Sequence, residues 1–440
     1  MRVERGLRDA AEVRKLVAPG IDLSADVAAI LGQLSVGRAE GRSDAVLDEL
    51  RRRFDARGCE PGPLRVSDED LEEALATVAP DVLSALKLAA ANVRAVAEAG
   101  VDGAAPGESA ADASRGGVRA ERRRELVLPQ GQRVTLRDVP VARAAVYVPG
   151  GRAPYPSTVV MGVVTARAAG VEEVVVCSPS DDPLVFAACA LTRVQAVYRM
   201  GGAHAIGALA YGTDTIRPVD LIVGPGGLYV QEAKRQVAAA GAVGIDGFAG
   251  PSDLLVVLSG DAGEADVRLA ALDLRAQAEH GADSLVVAVS PDAASLDALG
   301  GLLADAPEQG ACALVHADDL DAALAFAQDF APEHLELIGA QAEALAPRIT
   351  RAGCLFVGAG AATAFGDYVA GSNHVLPTDG AARFASGLST RTFRRRMAEV
   401  RIPPEAAAQL APAGAVLARA EGFAAHAESM EARIGQNGGS

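Results

Sequence analysis

The runs AAVYV (144–148), VVMGVVTARAAG (159–170), VEEVVVC (171–177), PLVFAACAL (183–191), QAVYRM (195–200), AHAIGALAYG (203–212), DLIVG (220–224) and LYVQEAKRQVAAA (228–240) decide the fold. Short β-branched runs alternate with longer Ala-rich segments whose apolar residues recur at helical spacing. A second series begins at DLLVVLS (253–259). It continues through a helix ending in QAEH, SLVVAVS (284–290), a helix to Leu303, ALVH (313–316), DAALAFAQ (321–328), HLELI (334–338) and CLFVG (354–358). Strands and helices in alternation make parallel sheets with helices on both faces. The expected class is therefore α/β, with two Rossmann-like α/β/α units and parallel-rich sheets.

Outward from these series the patterning changes. Leu23 to Phe54 and Leu71 to Val96 carry apolar residues at three- and four-residue spacing, so the first hundred residues read as helices. VDGAAPGESAADASRGG (101–117) has hardly a large apolar residue and reads as a loop or flap. Two short strand-like runs follow, near 125–128 and 132–137. The tail from about residue 389 is rich in Arg and Ala and reads as helical, ending in a disordered GQNGGS.

Bulk composition narrows the class of function. A chain of 440 residues exceeds one ordinary core. Its net charge of −16 opposes a phosphate-backbone partner. The Arg122–Arg124 and Arg394–Arg396 clusters are diluted by Glu121, Glu125 and Glu399. The five cysteines (Cys59, Cys177, Cys189, Cys312, Cys354) never form a CxxC spacing, which fits a reducing compartment and offers no thiolate zinc site. The charged start MRVERGLRDAAEVRKL is no signal peptide, and no run approaches the roughly 18 apolar residues of a membrane span. A soluble, cytoplasmic protein with neither nucleic-acid nor membrane partner is expected.

Only six histidines occur, and four sit in short polar motifs: QAEH ending at His280, APEH at His334, GSNH at His374, and HAES beginning at His426. Imidazole is the commonest metal ligand and the side chain best suited to moving protons near pH 7. Gln277 and His280 are three apart near a helix C-terminus and share a face. Their O and N donors suit a borderline divalent metal, with Zn²⁺ first and Co²⁺ or Mn²⁺ as alternatives. GDYVAGSNHVLPT (366–378) supplies Asp367 as a hard ligand and, in the same Gly-punctuated loop, His374 as a substrate-orienting donor or acid. His426 lies five residues after Glu421 on a C-terminal appendage, where a ligand can come from a second subunit. APEHLEL starts a strand with Glu333 and His334, where both can reach one cavity. A carboxylate to activate water and an imidazole to accept an alcohol proton make an acid/base pair.

Glycine turns complete the inventory: YVPGGRAPYPST (147–158), MGGAHAIGA (200–208), GPGGLYV (224–230) and GFAGPSD (247–253). Each follows a strand, where backbone N–H groups can meet an anion such as a dinucleotide pyrophosphate. No GxGxxG opens a βαβ unit, and Ser252 is not in the GxSxG of a hydrolase elbow. Cys177 reads as a small buried hydrophobe.

Together and in this order, YVPGG, GGA–AIGALAYGT, EAKRQV, AGPS, QAEHG, PEHLE, GDYVAGSNHVLPT, SGLS and the final HAES resemble the histidinol dehydrogenase family, over roughly residues 25 to 433. The resemblance implies the last step of histidine biosynthesis: L-histidinol is oxidised through L-histidinal to L-histidine with two NAD⁺. It implies that Gln277, His280, Asp367 and His426 hold one zinc ion per subunit, His426 coming from the other subunit of a homodimer. His334 would be the base for the alcohol proton and Glu333 would activate water. Ser252, His374 and Glu421 would line the substrate pocket beside the metal ligands, and Tyr147 would contact NAD. Two departures fall at the cofactor side, where the family usually reads GGAQA and GPGN and this chain has His204 and Gly227. A lost hydrogen bond costs about 0.5–1.5 kcal/mol, roughly 2- to 13-fold in NAD affinity. Asp253 likewise stands where the family more often has Glu.

The expected organisation is an N-terminal helical arm (1–30), a discontinuous first α/β domain with the metal and catalytic residues (31–142 and 253–388), a second α/β domain on the NAD side (143–252) and a C-terminal helical dimerisation tail (389–440). The competing readings are an NAD-dependent dehydrogenase of another polar amino alcohol or diol, a zinc hydrolase using Glu333, and a metal-binding homologue without turnover. The intact histidine motifs oppose the second dehydrogenase, and the lack of HExxH opposes the hydrolase.

Overall fold

A computed structural model describes residues 2–17, 21–56, 58, 60–102, 122–150, 153–247, 250–304 and 310–434. Nearly all of the loop expected at 101–117, Cys59 and the terminal GQNGGS lie outside the described residues. The chain divides into two compact units, one of Met1–Glu108 and Ala142–Phe393, the other of Ser109–Val141 and Arg394–Ser440.

The described strands are β1 (Arg2–Arg5), β2 (Arg122–Val127), β3 (Arg133–Pro140), β4 (Arg143–Tyr147), β5 (Glu173–Ser178), β6 (Ala196–Arg199), β7 (Leu221–Val223), β8 (Gly244–Ile245), β9 (Asp253–Leu258), β10 (Leu285–Ser290), β11 (Ala311–His316), β12 (His334–Ile338), β13 (Cys354–Val357) and β14 (Arg394–Arg401). The first unit holds two parallel sheets, β6-β5-β4-β7-β8 and β1-β11-β10-β9-β12-β13. In each, the first strand of a sequence series lies at the centre and the order reverses beside it. The expected α/β class with parallel-rich sheets is what the structure has. Strands β4, β9, β10 and β12 are buried along their whole length, because helices cover both faces of a parallel sheet.

Three features differ from the sequence reading. The helices Ser24–Ala39 and Ser43–Phe54 put Ile30, Leu31, Leu34, Leu47 and Leu50 into one core with Ala145, Val175 and Ile222 of the 143–252 sheet, whereas the sequence pattern groups 31–142 with 253–388. Helical periodicity marks a buried face but not which sheet covers it. The N-terminal arm, expected to be helical, opens with β1, which pairs with β11 in register from Arg2↔Ala311. Its charged RVER sequence suits a sheet edge rather than a core. The tail, read as helical, opens with β14, which pairs antiparallel with β3 through eight residues. Arg396 there makes a two-pronged ion pair with Asp138. The helices Pro404–Ala420 and Ala424–Glu431 follow it in the second unit.

No single helix among the described residues is long and apolar enough to cross a membrane. Within the first unit, β9 and β12 are neighbours and start together, with His334 opposite Leu254. β4 and β7 are neighbours and end together, with Val146 opposite Val223. Strand beginnings of one sheet and strand ends of the other are what build the cavity described next.

Candidate functional site

A cavity of about 580 Å³ is walled on one side by the Gly224–Gly227 turn after β7 and on the other by Ser252, Glu333 and His334 at the start of β9 and β12. Asp367, His374, Thr158 and His280 also face it. Thus the catalytic candidates sit where strands begin, while the glycine turns sit where strands end, the usual ligand position in open α/β sheets.

Glu333 is 6% exposed and held from three directions. Its Oε2 accepts hydrogen bonds from Ser252 Oγ (2.6 Å) and the Asp253 backbone N–H (3.1 Å). Its own N–H donates to Asp253 Oδ1 at 2.7 Å. Burial pushes the Glu333 carboxyl above its ordinary range, with the charge of His334 opposing. Burial likewise lifts Asp253, to about 7, against the pull of Arg14.

His334 places Nδ1 3.2 Å from the Asp253 carbonyl oxygen and Nε2 3.8 Å from Asp367 Oδ1. A backbone carbonyl can only accept, so Nδ1 carries the proton in the neutral ring and Nε2 presents its lone pair. Burial opposes charging this imidazole, but Glu333 and Asp367 outweigh it and raise it to about 9. The partnership is reciprocal: burial would raise Asp367, yet His334 holds it below the usual carboxylate range.

Around this pair the sequence candidates converge. Gln277, on the last turn of the helix Glu264–Ala278, donates to Ser252 Oγ at 2.5 Å. His280, just past that helix, brings Nδ1 to 3.5 Å from the same oxygen. His374 is fixed at both nitrogens, Nδ1 against the Asp367 carbonyl oxygen (3.0 Å) and Nε2 against Thr158 Oγ1 (3.2 Å). Asp367 belongs not to a loop, as the glycines around it implied, but to the short helix Thr363–Tyr368. Sequence reasoning missed Thr158, although it closes the quoted glycine motif and opens the helix Pro156–Ala168.

The donor chemistry can be tested against zinc. Among the described residues no group of three His, Cys, Asp or Glu makes a ready-built cluster. What the first unit does offer is an imidazole and a carboxylate lining one cavity (His280, Asp367) and, behind the Ser252 that also lines it, the buried amide of Gln277, N and O donors that zinc accepts. Three donors fall one short of a tetrahedral set. Glu421, which caps the helix Pro404–Ala420, and His426, in the helix Ala424–Glu431, are exposed residues of the second unit. The His426 ring tilts against Phe423 at 5.2 Å.

On the cofactor side the three candidates part company. Gly227 lines the cavity and is the residue before the helix Leu228–Ala239. Tyr147 and His204 are buried beneath the turns. The Tyr147 hydroxyl accepts from the Gly202 N–H at 3.1 Å. His204, only 1% exposed, commits Nε2 to Asp55 Oδ2 at 2.9 Å and stacks on Phe54. Nε2 of His204 therefore faces the helix Ser43–Phe54 side. Lys234, buried, donates to the Gly224 carbonyl (3.0 Å) and pairs with Asp246, whose other oxygen accepts the Gly224 N–H (2.7 Å). Gly224 itself has φ +111° and a Cβ there would lie 2.2 Å from the Tyr147 carbonyl oxygen, so only glycine fits this turn.

The family model for histidinol dehydrogenase matches residues 22–434. Histidinol dehydrogenase of Cereibacter sphaeroides is 42% identical over 431 residues, covering 93% of each chain. The enzyme of Rhizobium meliloti is 38% identical over 94% of this chain and 93% of its own. Among solved structures, histidinol dehydrogenase from Elizabethkingia anophelis superposes with a TM-score of 0.83 at 28% identity, over 98% of both chains.

Proposed function

The chain belongs to the histidinol dehydrogenase family, and from that premise we propose that it oxidises L-histidinol through L-histidinal to L-histidine, the last step of histidine biosynthesis, using zinc and two NAD⁺. The observation that carries this reading is the buried Glu333–His334 pair, locked onto Asp253 and facing one cavity with His280 and Asp367. When bound, zinc supplies a Lewis acid for the amino and imidazole nitrogens of the substrate, and NAD⁺ accepts the hydride of each step. Gln277, His280 and Asp367 would hold the metal, with His426 from a second copy of the chain.

The first oxidation removes a hydride from the carbinol carbon and a proton from its oxygen. In the neutral ring, which gains as pH rises toward about 9, His334 Nε2 is the acceptor for that proton, since Nδ1 is tied to the Asp253 carbonyl. The second oxidation must add the oxygen of water to the aldehyde before another hydride leaves. Glu333 Oε2 is saturated by Ser252 and Asp253, so Oε1 is the atom free to take the proton of that water. His374, braced by Thr158, orients the substrate from the opposite wall, with Ser252 beneath it and Glu421 of the second copy completing the pocket. The shared site makes the working form a homodimer. The free thiols of Cys177, Cys189 and Cys312, all buried, suit a cytoplasmic setting.

The test is to incubate the zinc-loaded protein with L-histidinol and NAD⁺, following absorbance at 340 nm together with histidine formation. Two NADH per histidine, lost on chelation, are expected. No NADH at saturating cofactor would overturn the reading.

Gly227 gives a sharper check of the cofactor side. A Cβ at this position meets nothing within 4 Å, and it stands at the N-cap of a helix, where Asn is favoured. Gly227→Asn is expected to lower the KM for NAD⁺ by roughly 2- to 13-fold, the value of one hydrogen bond. An unchanged KM at saturating histidinol would show that the turn does not touch the cofactor.

A further inference from the structure

The short helix Ala10–Arg14 contributes nothing to the chemistry above, yet its last residue reaches three segments that do. Arg14 Nη1 lies 3.4 Å from Asp253 Oδ2 and 3.4 Å from Asp379 Oδ1. Nη2 donates to the carbonyl of Phe330, and the guanidinium sits 4.0 Å over that residue's ring. Each contact is a strategic one. Asp253 opens β9 and receives the Glu333 N–H. Phe330 ends the helix Leu320–Phe330, after which Ala331, at φ +46°, turns the chain into Glu333 and His334. Asp379, at φ +52°, ends the loop that carries His374 and Thr378, and Thr378 Oγ1 accepts the Gly250 N–H just before Ser252.

A planar guanidinium with donors on several edges can join such groups, where an ammonium offers a single point. Asp253 is 1% exposed, and its two oxygens divide the labour: Oδ1 holds Glu333, Oδ2 faces Arg14. Burial drives this carboxyl toward neutrality, and Arg14 is the first force that resists.

We propose that Arg14 is a positioning residue for the oxidation: through Asp253 it aims Glu333 at the water that adds to the aldehyde. This rests on the function proposed above. With Arg14 replaced, Asp253 loses its cation and Glu333 its fixed backbone, while Gln277 and His280, which Arg14 does not touch, stay in place. The step that depends on Glu333 therefore suffers more than substrate binding.

The experiment compares wild type with Arg14→Met, Arg14→Lys, Asp253→Asn and the double variant Arg14→Met/Asp253→Asn, with Arg5→Ala as a surface control whose pair with Asp297 is exposed. Arg14→Met is expected to lower kcat for histidinal oxidation about 10- to 100-fold, as a misaimed catalytic group does. The KM for histidinal should stay within about threefold, and Arg14→Lys should recover only part of the loss. The double variant should be no slower than Asp253→Asn alone, because the effect of Arg14 passes through that carboxylate. A readout independent of activity is amide hydrogen exchange, where Glu333 should exchange about tenfold faster in Arg14→Met while Val256 and Leu337 keep wild-type rates. A kcat within about twofold of wild type, or losses that simply add, would overturn the proposal. So would faster exchange along all of β9 and β12, which means that Arg14 only stabilises the fold. Should Arg14→Met fail to fold, the same rates and exchange are read from Arg14→Lys. A wild-type protein inactive on histidinol would instead sink the function, leaving the exchange result to judge Arg14.

Discussion

With Gln in place of Glu333, the first oxidation should proceed and the second should stall, so that NADH falls from two toward one per histidinol consumed and the aldehyde accumulates. The amide oxygen can still accept from Ser252 and from the Asp253 N–H, so the shape of the site survives. What disappears is the atom to which the proposed mechanism gives the proton of water. Losing a positioned general base costs about 10²- to 10⁴-fold, and that loss should fall on histidine formation, with the first NADH slowed far less. The pH dependence follows with the same sign. Glu333 must be ionised to act, and burial raises its ionisation above the ordinary carboxylate range. The second oxidation should therefore fade as pH drops through that raised value, and the fading should vanish in Glu333→Gln. Rapid-quench measurement of aldehyde and acid separates the two steps. Equal loss of both would mean that Glu333 serves the alcohol oxidation too, and that His334 does not work alone there.

Co-expression of two dead variants should restore activity. In the proposed mechanism, His334→Asn removes the proton acceptor of a site, and His426→Ala the metal donor that a second copy would lend to it. Each homodimer is then expected to retain no more than about 1% of wild-type turnover. In a hybrid dimer one site carries both replacements and the other carries neither. Random pairing makes half of the dimers hybrids, each with one intact site of two, which gives about a quarter of wild-type activity. Differently tagged subunits allow the hybrid to be isolated and its zinc counted. A mixture that stays as inactive as its parents would mean that each chain builds its site alone. The geometry behind the expectation is the donor count: His280 and Asp367 line one cavity with Gln277 behind its Ser252, whereas His426 lies exposed in the other compact unit.

The two parallel sheets were legible because strand and helix periods alternate cleanly from residue 142 to 358. The histidine motifs were legible because their spacings are local: Gln277 with His280, Glu333 with His334. What escaped was long-range or masked by charge. RVER and RRRMAEVR contain too few apolar residues to announce β1 and β14, whose formation depends on a partner edge. HLELI alternates polar and apolar residues as if one face met water, yet all five are buried. Glu336 in it is 0% exposed, and burial with the neighbouring Asp273 pushes its carboxyl well above the ordinary range. Nothing in the chain announces that Asp55 will claim His204, 149 positions away, or that Arg14 will find Asp253. Motif chemistry is written in neighbours; positioning is written in partners that only folding introduces.

The empty space beside Gly227 has a practical side. If NAD binds as proposed, a dinucleotide analogue enlarged at the point that faces this turn would find room here, where an asparagine side chain would leave less. Filling that space, as Gly227→Asn does, should then make the protein resistant to such an analogue.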